Sequence, residues 1–131
     1  MRLLVDTSVW IDFFRGVDSD KVRFLTTAIE KREDICCCGF ILTEVFQGIR
    51  DETELRSVKK LFDGLVYLES DRSTFELGAR IYRELRRNGC TIRNSIDCLI
   101  GATVLQHGVN FLESDRDYRF IDEHFPLNRV C

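Results

Sequence analysis

The chain has 131 residues, enough for one domain with a proper core and too few for two. Hydrophobic residues make up 44% and charged residues 31%, the balance of a globular chain rather than a disordered one. The net charge is -3, and of the 19 cationic residues 15 are Arg, which argues against a polybasic mode of nucleic-acid binding but leaves room for local basic patches. Arg2 to Val5 is a short apolar run ending at Asp6 and reads as a buried strand. Thr7 and Ser8 offer caps for a helical turn through Trp10 and Phe13, and Val22, Leu25 and Ile29 recur at helical spacing. Asp34 to Phe40 reads as a second buried strand. Leu42, Val45, Phe46 and Ile49 then fall on one helical face. Leu55, Val58, Leu61 and Phe62 mark another helix, followed by a strand over Val66 to Leu68. Phe75, Ala79, Tyr82 and Leu85 mark a longer helix stopped by Asn88-Gly89. Ile96, Leu99, Ile100 and Val104 define the next, stopped by His107-Gly108. Val109 to Leu112 reads as a strand, and Leu127 to Val130 as a last, edge strand.

Strands alternating with helices predict an α/β domain, residues 1–131, with a mainly parallel sheet covered on both faces. No apolar run approaches the ~20 residues of a membrane span. Asp6 and Asp12 interrupt the apolar N-terminus, so it does not read as an export signal. A cytoplasmic protein without membrane attachment is expected. Cys36, Cys37, Cys38, Cys90, Cys98 and Cys131 form no Cys-x-x-Cys pair and read as reduced, mostly buried residues rather than zinc ligands or disulfides. Trp10, Phe13, Phe14, Phe46 and Phe62 are more apolar bulk than one small core readily hides; a surplus suggests a groove for a partner helix or a homodimer face.

In parallel sheets, ligands sit beyond the carboxyl ends of the strands. Asp6 ends the first apolar run and Asp115 follows the late one. Glu44 and Asp97 sit in the first turns of helices. If the strands are neighbours, these acids converge. Two carboxylates about 6 Å apart repel by roughly 3 kcal/mol at an effective dielectric near 20, so four together require protonation, separation or a cation. Hard oxygen donors without His or Cys favour Mg²⁺ or Mn²⁺, a device for activating water against a phosphodiester. Each acid also has a plainer role. Asp6 serves as a helix cap, Glu44 as a solvated helix residue, Asn94 with Asp97 as a capping box, and Asp115 as an Asx-turn residue or cap.

Leu3-Leu4-Val5-Asp6-Thr7-Ser8, Leu42-Thr43-Glu44-Val45 with Gly48, Asn94-Ser95-Ile96-Asp97-Cys98-Leu99 and Asp115-Arg116-Asp117-Tyr118 together resemble the four motifs of PIN-domain proteins, specifically VapC-type toxins, in order and spacing. The resemblance implies a PIN-like three-layer α/β/α sandwich. It implies an Mg²⁺- or Mn²⁺-dependent endoribonuclease, the toxin of a type II toxin–antitoxin pair, with a cognate antitoxin, an RNA substrate and a homodimer. Carried over, Asp6, Glu44, Asp97 and Asp115 become catalytic and metal-binding residues, with Asp6 and Asp97 the direct ligands. Thr7 and Ser8 are available to hydrogen-bond a ligand, water or substrate phosphate. The family often has Thr two residues before the fourth acid, where this chain has Glu113; Asp115 is preferred as that acid, with Asp117 its rival.

Arg80, Arg83 and Arg87 share a helical stripe, with Arg93 beyond the turn. They suit RNA phosphates or form a solvated face in which Glu76 pairs with Arg80. Neither His107 nor His124 has a Ser or Cys nucleophile signature beside it, and no Gly-rich phosphate loop occurs. Two alternatives stay open. One is a catalytically inactive PIN-like partner for antitoxin or RNA. The other is a receiver-type phosphotransfer domain, against which counts the absence of any Lys after Lys60.

Overall fold

A computed structural model describes residues 1–131. Four strands, β1 (Arg2–Val5), β2 (Asp34–Cys38), β3 (Val66–Leu68) and β4 (Asn110–Leu112), form one sheet in the order β3-β2-β1-β4, with every pairing parallel. Leu3, Leu4 and Val5 are all buried, as are Cys36, Cys37 and Cys38. Successive strand residues point to opposite faces, so these runs require cover on both sides of the sheet.

Seven helices supply it: α1 (Thr7–Phe14), α2 (Asp20–Glu30), α3 (Gly39–Gln47), α4 (Glu52–Asp63), α5 (Arg72–Arg87), α6 (Ser95–His107) and α7 (Asp117–His124). Helices α5, α6 and α7 pack on one another, and α1 packs on α2 and α3. At the α5–α6 crossing a Cβ on Gly78 would stand 2.5 Å from Leu99 Cδ2, so the close approach depends on glycine. Gly108, at φ +62°, ends α6 in the left-handed conformation. No helix is long and apolar enough to cross a membrane.

Two boundaries differ from the sequence expectation. The second strand stops at Cys38 rather than Phe40, because Gly39 already opens α3 and its carbonyl accepts from Thr43 Oγ1 at 2.8 Å. Leu127 to Val130 contributes a single parallel bridge, Phe111 to Arg129, rather than a strand. Asn128 has φ +55°, which breaks the extended backbone after one pair of hydrogen bonds. The six cysteines are free, four of them buried. Burial pushes the Cys37 thiol up to about 12 and Cys38 to about 11.

The aromatic residues near the N-terminus form one cluster. Trp10 is fully buried, stacks on Phe14 at 5.7 Å and meets Phe62 at 5.0 Å, which in turn meets Phe46 at 5.4 Å. Phe13, Phe14 and Phe46 are packed against the core while keeping part of their surface outside.

Candidate metal centre

The carboxyl ends of β1 and β4 lie side by side, with Val5 opposite Leu112 and the Asp6 amide donating to the Leu112 carbonyl at 2.9 Å. This register brings the first acidic motif beside the last. Asp6 is the N-cap of α1, ahead of Thr7 and Ser8, which are its first two helical residues rather than caps. The Asp6 side chain is 5% exposed. It accepts from Ser8 Oγ at 2.8 Å and from the Tyr118 hydroxyl at 2.9 Å. Burial raises its pKa, against the lowering effect of those hydrogen bonds.

The same Tyr118 hydroxyl is 3.2 Å from Asp97 Oδ1. Asp97 therefore does not close a capping box. Asn94 caps α6 alone by accepting from the Ile96 amide at 3.0 Å, leaving the Asp97 carboxylate to face the strand ends. Burial first, then the charges of Asp115, Asp6 and Asp117, raise Asp97 to about 7. Burial and the two flanking carboxylates hold Tyr118 well above its ordinary value, so it stays a hydroxyl. One O–H proton shared between two acceptors serves neither fully; the carboxylate it serves less relies on water, its own proton or a cation.

Asp97, Asp115 and Asp117 each offer an oxygen within 4.8 Å of the other two. Both contenders for the fourth acidic position thus join the group, and the Asp117 amide donates to Asp115 Oδ1 at 3.0 Å in an Asx turn. The cap at Asp115 and its grouping with the other acids coexist. Glu113 stands outside the group: it is 4% exposed and meets Arg129 Nη1 at 3.3 Å. Glu44 accepts from Thr7 Oγ1 at 2.8 Å. Burial, Asp6 and Asp115 all raise it, and the Thr7 bond opposes them. Ser8 Oγ also accepts from Ser114 Oγ at 2.9 Å, tying the β1 end to the β4 end a second time.

Only one cation borders the group. Arg93 Nε stands 3.7 Å from Asp117 Oδ2 on a largely exposed side chain. Acids outnumber neutralising groups, every donor is a hard oxygen, and the shared tyrosine hydroxyl cannot fully satisfy both of its carboxylates. This donor set suits a hard divalent cation. Tyr118 carries more of the geometry than its sequence position suggests, and its place at the close of the fourth motif is its only signal; Asp117, the rival for the fourth acid, joins the group beside Asp115.

Along α5, Glu76 pairs with Arg72 at 3.0 Å rather than with Arg80. The expected i,i+4 pair therefore forms one turn earlier, and Arg80 stands with Arg83 and Arg87 along one groove.

Residues 3–123 match the PIN domain family. The chain belongs to the PIN-domain family. This PIN domain is 35% identical over 123 residues to the VapC ribonuclease Mb1587 of Mycobacterium bovis and to ribonuclease VapC11 of Mycobacterium tuberculosis, the match covering 91% of this chain and 90% of each relative. Among solved structures it is similar to VapBC2 from Rickettsia felis bound to a DNA fragment from their promoter. That likeness has a TM-score of 0.77 at 16% identity, over 99% of this PIN domain and 98% of that chain. Membership in the PIN family sets aside the receiver-type alternative.

Proposed function

We infer that this protein is the toxin of a type II toxin–antitoxin pair and a metal-dependent endoribonuclease that hydrolyses RNA phosphodiester bonds. The observation that carries the reading is the gathering of Asp97, Asp115 and Asp117 beside the Tyr118 hydroxyl that also holds Asp6. The extensive match to named VapC ribonucleases supports it. In this reading Asp97, Asp115 and Asp6 hold the cation, Mg²⁺ or Mn²⁺, and Asp117 completes the acidic wall. A divalent ion in such a site lowers the pKa of a water and offsets charge on the phosphoryl oxygens.

The residues of the chain have distinct tasks. Tyr118, kept protonated, spaces Asp6 from Asp97 and limits their swing. Glu44 is fixed by Thr7, and burial with the charges of Asp6 and Asp115 raises its carboxyl; it accepts the proton of an attacking water or aims that water. Ser8, bonded to Asp6 and Ser114, sets the β1 end of the site. Arg93 approaches Asp117 from solvent, where its guanidinium can engage a phosphate oxygen. The implied product carries a 5′-phosphate.

The VapB–VapC solved neighbour supports a cognate antitoxin as partner, and the half-open aromatic cluster around Phe13, Phe14 and Phe46 gives such a partner apolar surface. The proposed protein is a cytoplasmic homodimer with residues 1–131 acting as one domain, since Arg2 and Arg129 belong to one sheet and its bridge.

Sequencing RNA ends after induced expression, beside cleavage assays of purified protein, tests the reading. Cleavage should vanish with chelator, return with Mg²⁺ or Mn²⁺, and be lost in Asp97→Asn. Wild-type protein that folds, binds the ion and cuts no RNA would favour an inactive binding partner instead.

A further inference from the structure

A cavity of about 660 Å³ lies between α5 and the start of α6. Phe75 and Tyr82 supply aromatic surface, Ile92 and Leu99 an aliphatic lining, and Arg83 and Arg93 two guanidinium groups. Phe75 is 50% exposed, a large ring left in solvent beside these arginines. The cavity reaches the acidic group through Arg93, which lines it and also stands 3.7 Å from Asp117.

The charge pattern is specific. On α5, Arg72 and Arg87 pair with Glu76 and Glu84, whereas Arg83 has no carboxylate within ion-pair reach. Arg83 also lines the adjoining groove with Arg80 and Arg87, where Glu76 and Glu84 are taken up by Arg72 and Arg87. Cationic side chains thus run from the α5 groove through the cavity to the edge of the acidic site. Flat apolar surface for a base, beside guanidinium groups for phosphates, is the chemistry that single-stranded nucleic acid requires. The volume falls within the range of small-ligand pockets and suits one nucleoside. The Arg86 guanidinium, 5.7 Å from the Tyr82 ring centroid, adds a further cation beside the same aromatic.

We propose that this cavity is a nucleobase subsite, in which the base of a nucleotide flanking the scissile phosphate packs on Tyr82 and Phe75 while Arg83 and Arg93 hold the adjacent phosphates. The subsite rests on the ribonuclease reading and deepens it, assigning Tyr82 as a residue that sets base preference.

The test uses labelled A, C and U homopolymers of about ten nucleotides, with fluorescence anisotropy, steady-state cleavage and mass by light scattering. Wild type is compared with Tyr82→Ala, Tyr82→Phe and the exposed Arg83→Ala. Tyr82→Ala should weaken binding about ten-fold, raise KM more than it lowers kcat, and flatten differences among the homopolymers. Tyr82→Phe should behave as wild type, because stacking survives. Arg83→Ala should weaken all three homopolymers alike and reduce the slope of log affinity against log salt by about 0.7. Wild-type binding and cleavage retained in both alanine variants would overturn the subsite and leave the nuclease standing. Loss of RNA binding only together with loss of dimer mass would also overturn it, assigning the cavity to a second copy of the chain. Tyr82-dependent binding by a wild type that never cuts would keep the subsite and remove the nuclease.

Discussion

The Tyr118 hydroxyl donates to Asp6 Oδ1 at 2.9 Å across 112 positions of sequence. Its ring is fully buried and meets Phe111 edge-on at 4.8 Å, so the oxygen is held by packing before any ligand arrives. Tyr118→Phe keeps that packing and deletes only the oxygen. Isothermal titration with Mn²⁺ should show a ten- to hundred-fold weaker cation, the usual consequence of losing an outer hydrogen bond to ligands. The metal-free protein should lose about 1–3 kcal/mol, because a buried carboxylate gives up a donor. Unchanged affinity would reduce Tyr118 to a packing residue.

Asp97 makes the metal-free protein sensitive to pH. Its folded pKa of about 7 lies above the ordinary 3.8, so the folded state holds this proton more tightly than the unfolded chain does. The contribution is fully present below the ordinary value and is lost as pH rises through about 7. Thermal melts in chelator should therefore fall in temperature between these limits. Asp97→Asn should flatten part of that slope and raise the metal-free melting temperature at pH 8. Saturating Mg²⁺ should offset the loss in the wild type.

Thr7 anchors Glu44 at 2.8 Å. Thr7→Val removes the donor with little change of shape, freeing the Glu44 carboxylate to rotate. A drop in kcat of about tenfold is expected, with Thr7→Ser restoring most of it. Identical kcat in all three proteins would place Glu44 outside the chemistry.

Glu113 depends on Arg129, which also reaches Asp122 Oδ2 at 3.3 Å. Arg129→Ala would leave Glu113 buried without its cation, and denaturant unfolding should report a loss of about 2 kcal/mol. Cation affinity and cleavage should persist, since Glu113 is engaged by Arg129 and stands outside the Asp97, Asp115 and Asp117 group.

Much of this architecture is legible in the chain because apolar runs and helical spacing are local properties. Arg2 to Val5, Val66 to Leu68 and the Asn88-Gly89 and His107-Gly108 stops all read directly. The region at Leu127 does not, since its extended reach ends on the positive φ of Asn128, which apolar periodicity does not report. Asp6 and Asp97 stand out as acids at element boundaries. Tyr118 does not, because a buried aromatic on an amphipathic helix looks like core until its hydroxyl is traced to two carboxylates. Nor does sequence choose between Asp115 and Asp117: a turn that bonds one to the amide of the other brings both to the same place.

The pairing of β1 with β4 joins the two ends of the chain at the acidic group. Asp6 gains its contact with Tyr118 only after residue 118 has been synthesised, and β4 is the last of the four strands in chain order. A nascent chain still lacking Asp115 and Tyr118 carries no assembled centre. Any length of chain that stops short of Tyr118 therefore lacks the hydroxyl that links Asp6 to Asp97.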